Sequence, residues 1–315
     1  SRGLGDVYKR QELEQLIVKN FHYYQTGHVA DYIPALAQVN PEQLGMAIYD
    51  LKKNQLIEAG DSQVRFAIES MSKVPVLLLA IQDNGIDKVF QTINTEPTGF
   101  AFNSILNMEL NHRHHPMNPF VNAGAIATTS LIAGKDPEDK FNRILAFMKE
   151  ICDDPQITLN EEIYHSESRT GDINRSLAYY MKGNQMIDGD VSEILDVYFK
   201  QCSVNVTAKG IAKLGAVLAN KGIAPWSGQQ IITEESATIV KSIMTTAGLY
   251  DESGEFSVHV GVPAKSGVGG GLMVAVPNYY GMGVFSPALD AFGNSAAGIQ
   301  LLKDVVEKLD VDIFD

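Results

Sequence analysis

Ser70 and Lys73, three residues apart, have the types and spacing that could do chemistry. In Ser70-Met71-Ser72-Lys73 the first and last side chains lie one helical turn apart and project into the same space. A lysine held in an apolar helix is costly to keep charged. Desolvation lowers its pKa and makes it a proton acceptor for the neighbouring hydroxyl. The start of a helix also offers backbone N–H groups without helical partners, which suit a developing oxyanion. This is the equipment of nucleophilic acyl transfer. Four residues alone equally describe a capping serine ahead of an exposed lysine, so the weight rests on their setting. Ser72 is a second hydroxyl, but its spacing to Lys73 puts the two on different faces.

A second constellation comes late in the chain, at Lys265-Ser266-Gly267-Val268-Gly269-Gly270-Gly271. Small residues let a backbone approach a ligand closely and leave N–H groups free to donate. An apolar strand pattern follows rather than a helix, so no helix N-terminus is placed to receive a phosphate. Taken alone, the segment fits a glycine-rich hairpin turn. A third candidate, Asn111-His112-Arg113-His114-His115-Pro116, has three histidines in four residues. A loop rarely converges such a run on one ion, and no cysteine or carboxylate follows at metal-site spacing, so a polar loop is expected and no metal.

The elements that must position these residues follow from periodicity. A helix is expected from about Glu12, where Leu13, Leu16, Ile17 and Phe21 recur at helical spacing. Strands are expected over Leu44–Tyr49, Gln55–Glu58 and Val64–Ile68, with turns at Lys53-Asn54 and Asp61-Ser62. Ser70–Gln82 reads as a helix apolar nearly all round and so buried on every side, with Pro75 near its start and Asn84-Gly85 closing it. Helical patterns dominate from about Asp87 to Lys221. Strands return at Phe256–Val262, Leu272–Val276 and Gly281–Phe285, and a last helix spans Ser295–Leu309. Strands at both ends with helices between predict an α+β fold: one antiparallel sheet built from both chain ends and flanked by helices, with an inserted all-helical lobe. The expected organisation is a single unit over 1–315, its sheet lobe about 12–75 and 222–315 and its helical lobe about 76–221. Ser1–Gln11 lacks an initiating methionine and any apolar run, and is expected to be non-native or disordered.

The chain of 315 residues carries a formal net charge of -13, which argues against nucleic acid or an anionic membrane as partner. Cys152 and Cys202 stand alone, which reads as reduced thiols of a cytoplasmic protein. No stretch approaches the roughly 20 apolar residues of a membrane helix.

Ser-x-x-Lys early and Lys-[Ser/Thr]-Gly on a late strand together resemble the signature of serine β-lactamases and penicillin-binding proteins. A closer resemblance is to the serine-dependent glutaminase family. It rests on Val29–Pro34 (VADYIP), Glu69–Val74 (ESMSKV), Asn118–Ile126 (NPFVNAGAI), Glu167–Asn174 (ESRTGDIN), Val197–Ser203 (VYFKQCS), Gly248–Asp251 (GLYD) and His259–Val268 (HVGVPAKSGV), which span most of the chain in the family's order.

The resemblance implies a serine β-lactamase-like fold and hydrolysis of L-glutamine to L-glutamate and ammonia through a γ-glutamyl ester, without a cofactor. It implies Ser70 as nucleophile, Lys73 as general base and Tyr250 as proton relay, with the N–H groups of Ser70 and Val268 as the oxyanion hole. Asn122, Glu167, Asn174 and Tyr198 match positions that hold the substrate's α-amino and α-carboxylate groups, and Tyr32 matches a pocket tyrosine. A homodimer or homotetramer is implied in the same way. Two departures stand out. Glu69 precedes Ser70 where many members carry Gln, and Phe120 replaces a common Met. The rivals are a β-lactamase or D-Ala-D-Ala peptidase, for which Ser203-Val204-Asn205 supplies the letters of a third motif, and a glutamine or glutamate sensor without turnover.

Overall fold

A computed structural model describes residues 10–110 and 115–315. In chain order the first elements are helix α1 (Arg10–Asn20) and strands β1 (Gly45–Asp50), β2 (Gln55–Gly60) and β3 (Phe66–Ala67). Helices α2 (Lys73–Asn84), α3 (Ile86–Thr92), α4 (Leu106–Leu110), α5 (Asn122–Ser130) and α6 (Pro137–Ile151) follow. Next come β4 (Thr158–Leu159), α7 (Glu161–Thr170), α8 (Asp172–Gly183), α9 (Val191–Cys202), β5 (Val204–Val206) and α10 (Ala208–Ala219). The chain closes with α11 (Glu234–Ala247), α12 (Ser253–His259), β6 (Ala264–Gly267), β7 (Gly271–Val276), β8 (Tyr280–Phe285) and α13 (Ala296–Leu309).

The main sheet has the order β2-β1-β8-β7-β6, and every pairing is antiparallel. Its strands come from the two ends of the chain, as the sequence pattern predicts. One face is covered by α1 and α13, whose Leu13, Ile17, Leu301, Leu302 and Val305 bury against Ile48, Val274 and Met282. The other face is covered by α10. Gly281 and Gly283 of β8 let this helix lie close, because a Cβ at either would fall well inside contact with the helix backbone at Ala216 or Ala208. Beyond α10 lies the larger core, in which α2 is buried around its whole first turn and middle, Lys73 to Ile81, against α5, α6 and α11.

Three expectations change. The inserted segment also carries β4 and β5, which join β3 in a second antiparallel sheet of order β3-β5-β4. Strands of two or three residues leave no alternation to read. Phe256–Val262, expected as a strand, enters as helix α12. Phe256 and Val260, four apart, are buried while Val258 between them is 75% exposed, so the buried face has helical spacing. The expected helix from Ser70 is a 3-10 turn over Glu69–Ser72 that runs into α2. At the N-terminus, Arg10 and Gln11 open α1, and residues 1–9 lie outside the described residues.

Candidate active site

The 3-10 turn Glu69–Ser72 sits where the sheet edge β6 meets the helical core. Gly267, the last residue of β6, presses on it. A Cβ there would come within 3.4 Å of Ser70 N and 2.7 Å of Ile68 O. The glycine thus brings the backbone of Gly267-Val268 alongside the Ser70 N–H. Neither the Ser70 nor the Val268 N–H donates to a backbone carbonyl in the surrounding turns. Both N–H groups are thus left without a backbone acceptor close to the serine, and donors of this kind are what a developing oxyanion needs.

Ser70 opens into a cavity of about 410 Å³. Tyr32, Asn122, Glu167, Asn174, Tyr198 and Val268, each expected at the site, line it. They come from the loop before β1, the N-termini of α5 and α8, α7, α9 and the β6–β7 turn. Tyr32, 57% exposed, stands at the mouth, and Tyr198 is buried in the wall.

Lys73 lies behind Ser70 at the start of α2, 2% exposed. Its Nζ donates to Phe120 O at 3.0 Å and to Asn122 Oδ1 at 2.8 Å. Asn122 Nδ2 in turn donates to Asn174 Oδ1 at 3.0 Å, so a polar chain links the lysine to the cavity wall. Lys73 makes no hydrogen bond to Ser70 here. Burial pulls its pKa down to about 8, against the opposing pull of Cys202, Glu69 and Glu167.

Tyr250 has left-handed φ of 51° on a short 3-10 turn, which puts its ring 4.8 Å from that of Phe102. Its buried hydroxyl lacks a well-formed hydrogen bond, and burial raises its pKa while the nearby Ser70 and Ser266 hydroxyls pull it down. All nine expected site residues are thus gathered in one place.

Three more residues join the site that the sequence reading gave no role there, although Lys265 opens its Lys-Ser-Gly motif. Glu69, noted only as a departure, is 3% exposed and lines the cavity beside Glu167. Its neighbour Ser70 carried the signal, but a side chain direction set by a φ of 48° at Glu69 is not written in the sequence. Lys265 is wholly buried under the ring of Tyr250, 4.7 Å from its centroid, with Nζ donating to Ser266 O at 2.7 Å and Gly248 O at 3.1 Å. Burial first, and the charge of Lys73 second, hold its pKa well below the usual lysine range. Cys202, a free thiol, also lines the cavity.

Two alternatives read from the sequence fall elsewhere. Ser203 donates to Phe199 O at 2.8 Å and Asn205 sits on β5 near Asn160, so neither reaches the cavity wall. His112 and His114 lie outside the described residues.

A two-ended antiparallel sheet, its flanking helices and the Ser-x-x-Lys turn at their junction define the β-lactamase-like fold class. The family model for glutaminase matches residues 27–314. The chain belongs to the glutaminase family. It is 63% identical over 302 residues to glutaminase 1 of Clostridium perfringens (strain 13 / Type A), covering 96% of this chain and 98% of that protein. Among solved structures it is similar to a probable glutaminase, YbaS, at 37% identity with a TM-score of 0.91, covering 98% of this chain and 100% of that one. It is also similar to the covalent complex between the Bacillus subtilis glutaminase YbgJ and 5-oxo-L-norleucine, formed by reaction with 6-diazo-5-oxo-L-norleucine. There the identity is 34% and the TM-score 0.88, covering 97% of this chain and 99% of that one.

Proposed function

We propose that this chain hydrolyses L-glutamine to L-glutamate and ammonia through a γ-glutamyl ester on Ser70. The observation that carries the reading is the one cavity that Ser70 and Val268 share with the Glu167 carboxyl and the Asn122–Asn174 amides. A carboxylate suits an α-ammonium and amide N–H groups suit an α-carboxylate, so the head of a free amino acid is held while its side chain reaches the serine. The Bacillus subtilis relative supports this. The compound it reacts with is an L-α-amino acid whose 5-oxo group stands where glutamine has its amide carbonyl.

In the forward step the Ser70 hydroxyl loses its proton to Lys73 and Oγ bonds to the amide carbon. The carbonyl electrons move onto oxygen, which rests on the N–H groups of Ser70 and Val268. The C–N bond then breaks as the nitrogen takes a proton relayed by Tyr250, and ammonia leaves. Water attacks the ester by the same route in reverse, its proton passing to Lys73 and Ser70 recovering its own. Tyr198 and Tyr32 close the pocket around the substrate. Cytoplasmic residence is supported by two free, buried cysteines and assembly as a homodimer or homotetramer by the family resemblance.

The test is ammonia release from L-glutamine by the wild type and Ser70→Ala side by side, with L-asparagine as control. Release that requires Ser70 and prefers glutamine is expected. A wild type that releases none, or a Ser70→Ala variant that matches it, would defeat the reading.

A further inference from the structure

Glu69 has no role in the chemistry just described, yet it is placed at considerable cost. Its backbone occupies the left-handed region at φ 48°, a strained conformation for a residue with a side chain. The residue is 3% exposed yet lines the cavity, and its buried Oε1 accepts no hydrogen bond from a donor. The stem of the side chain passes over Gly269, where a Cβ would meet Glu69 Cγ at 3.5 Å. Beside it, within hydrogen-bonding reach in the same cavity wall, is Glu167, 9% exposed. Two carboxyls buried together cannot both ionise cheaply, and a buried oxygen without a donor is a strong demand for one.

We propose that Glu69 and Glu167 form a two-carboxyl clamp for the substrate's α-ammonium group, sharing one proton in the empty site and releasing it to solvent when the ammonium enters. The proposal rests on the glutamine reading above and adds a specificity-determining residue to it. An ammonium has three N–H donors. One carboxylate leaves donors to spare, and Glu69 Oε1 is an acceptor in want of one. Burial and the adjacent Glu167 carboxyl both push the Glu69 pKa well up, and burial pushes Glu167 up as well, which is the condition for a retained proton. The other titratable groups around the pair are Lys73 behind the turn, Cys202 and Tyr198 on α9, Tyr32 at the mouth and Tyr250 beside Ser70, with Lys265 one strand away. Lys73 alone among those facing the pair favours ionisation of Glu69.

Binding of L-glutamine to Ser70→Ala, followed by calorimetry in buffers of different ionisation enthalpy, reads the proton count directly. About one proton released per ligand is expected on the acid side of neutrality, so affinity rises about tenfold per pH unit there. Adding Glu69→Gln should bring the release close to zero and weaken binding at alkaline pH by about tenfold, the worth of one charge-assisted hydrogen bond. Release that persists in Glu69→Gln would assign the proton to Lys73, Cys202 or a tyrosine and overturn the proposal. If Glu69→Gln fails to fold, glutaramate, which lacks the α-amino group, gives the answer with Glu69 in place. Its binding should weaken as pH rises, because the pair must keep its proton, and a pH dependence matching that of glutamine would overturn the clamp. Ammonia release by the wild type is measured alongside. Its absence would overturn the glutamine reading and the clamp with it, whereas turnover without proton release would overturn the clamp alone.

Discussion

At the scale of single residues the site works by burying charge where it is needed in its less stable form. Lys73 is buried at the head of an apolar helix, and its pKa falls to about 8. A base must be neutral to accept a proton. Activity is therefore expected to rise with pH through about 8 and to stay low below it, read as a single ascending limb in kcat at saturating glutamine, where protons lost on binding no longer contribute. Lys73→Ala should lose about a hundredfold to ten-thousandfold in kcat, the usual worth of a general base. A profile that stays flat between about pH 6 and about pH 9 would remove Lys73 from that role. The spacing of Ser70 and Lys73 made this pair legible in the sequence, because one helical turn is a fixed distance. The chain from Lys73 through Asn122 to Asn174 was not legible as a chain, since its members lie 49 and 52 residues apart. Glu69 was visible as a residue but not as a site member, because its orientation depends on a left-handed φ, and Lys265 was visible through its Lys-Ser-Gly motif but without a role of its own, because that depends on a sheet edge.

At the scale of elements, glycine decides how closely backbones approach, and so where the serine stands. Gly281 faces α10 with no room for a Cβ, whereas Gly254 on α12 meets nothing within 4 Å. Gly281→Ala is expected to cost about 1–3 kcal/mol by overpacking, seen as a Tm lowered by several degrees. Gly254→Ala, with an ordinary helical backbone, should be neutral or raise stability by about 0.5 kcal/mol. Equal effects of the two would contradict the packing of α10 on the sheet. Long apolar elements were readable from sequence. The pattern of α2 announced a fully buried helix, and those of β7 and β8 announced strands. Shorter elements were not. Phe-Ser-Val-His-Val alternates like a strand, yet Phe256 and Val260 share a helical face, and seven residues are too few for periodicity to choose.

For the whole molecule, the topology ties the chain ends together. Strands from residues 45–60 and 264–285 share one sheet, and α1 packs with α13 behind it. The helical core is joined to that sheet through α10 and through the 3-10 turn that carries Ser70. Both lobes supply walls to one cavity, so neither completes the site alone. A single cooperative thermal transition is therefore expected, moved upward by L-glutamate as a ligand of the folded state. Two separate transitions, with only one shifted by ligand, would argue that the lobes fold independently. The two-ended sheet was legible because strand patterns cluster at both termini. The small sheet β3-β5-β4 was not, because its pairing joins residues 66–67 to 205–206 through strands too short to announce themselves.

The most direct test of the account is the position at which a glutamine-like diazoketone attaches. The cavity is lined by two nucleophile types, the hydroxyl of Ser70 and the thiol of Cys202, and Ser70 is the one against which the Gly267 backbone packs. The protein is treated with 6-diazo-5-oxo-L-norleucine, digested and mapped by mass spectrometry. A single adduct on Ser70, formed with loss of dinitrogen and prevented by excess L-glutamate, is the expected result. An adduct on Cys202, or none while ammonia release continues, would contradict it.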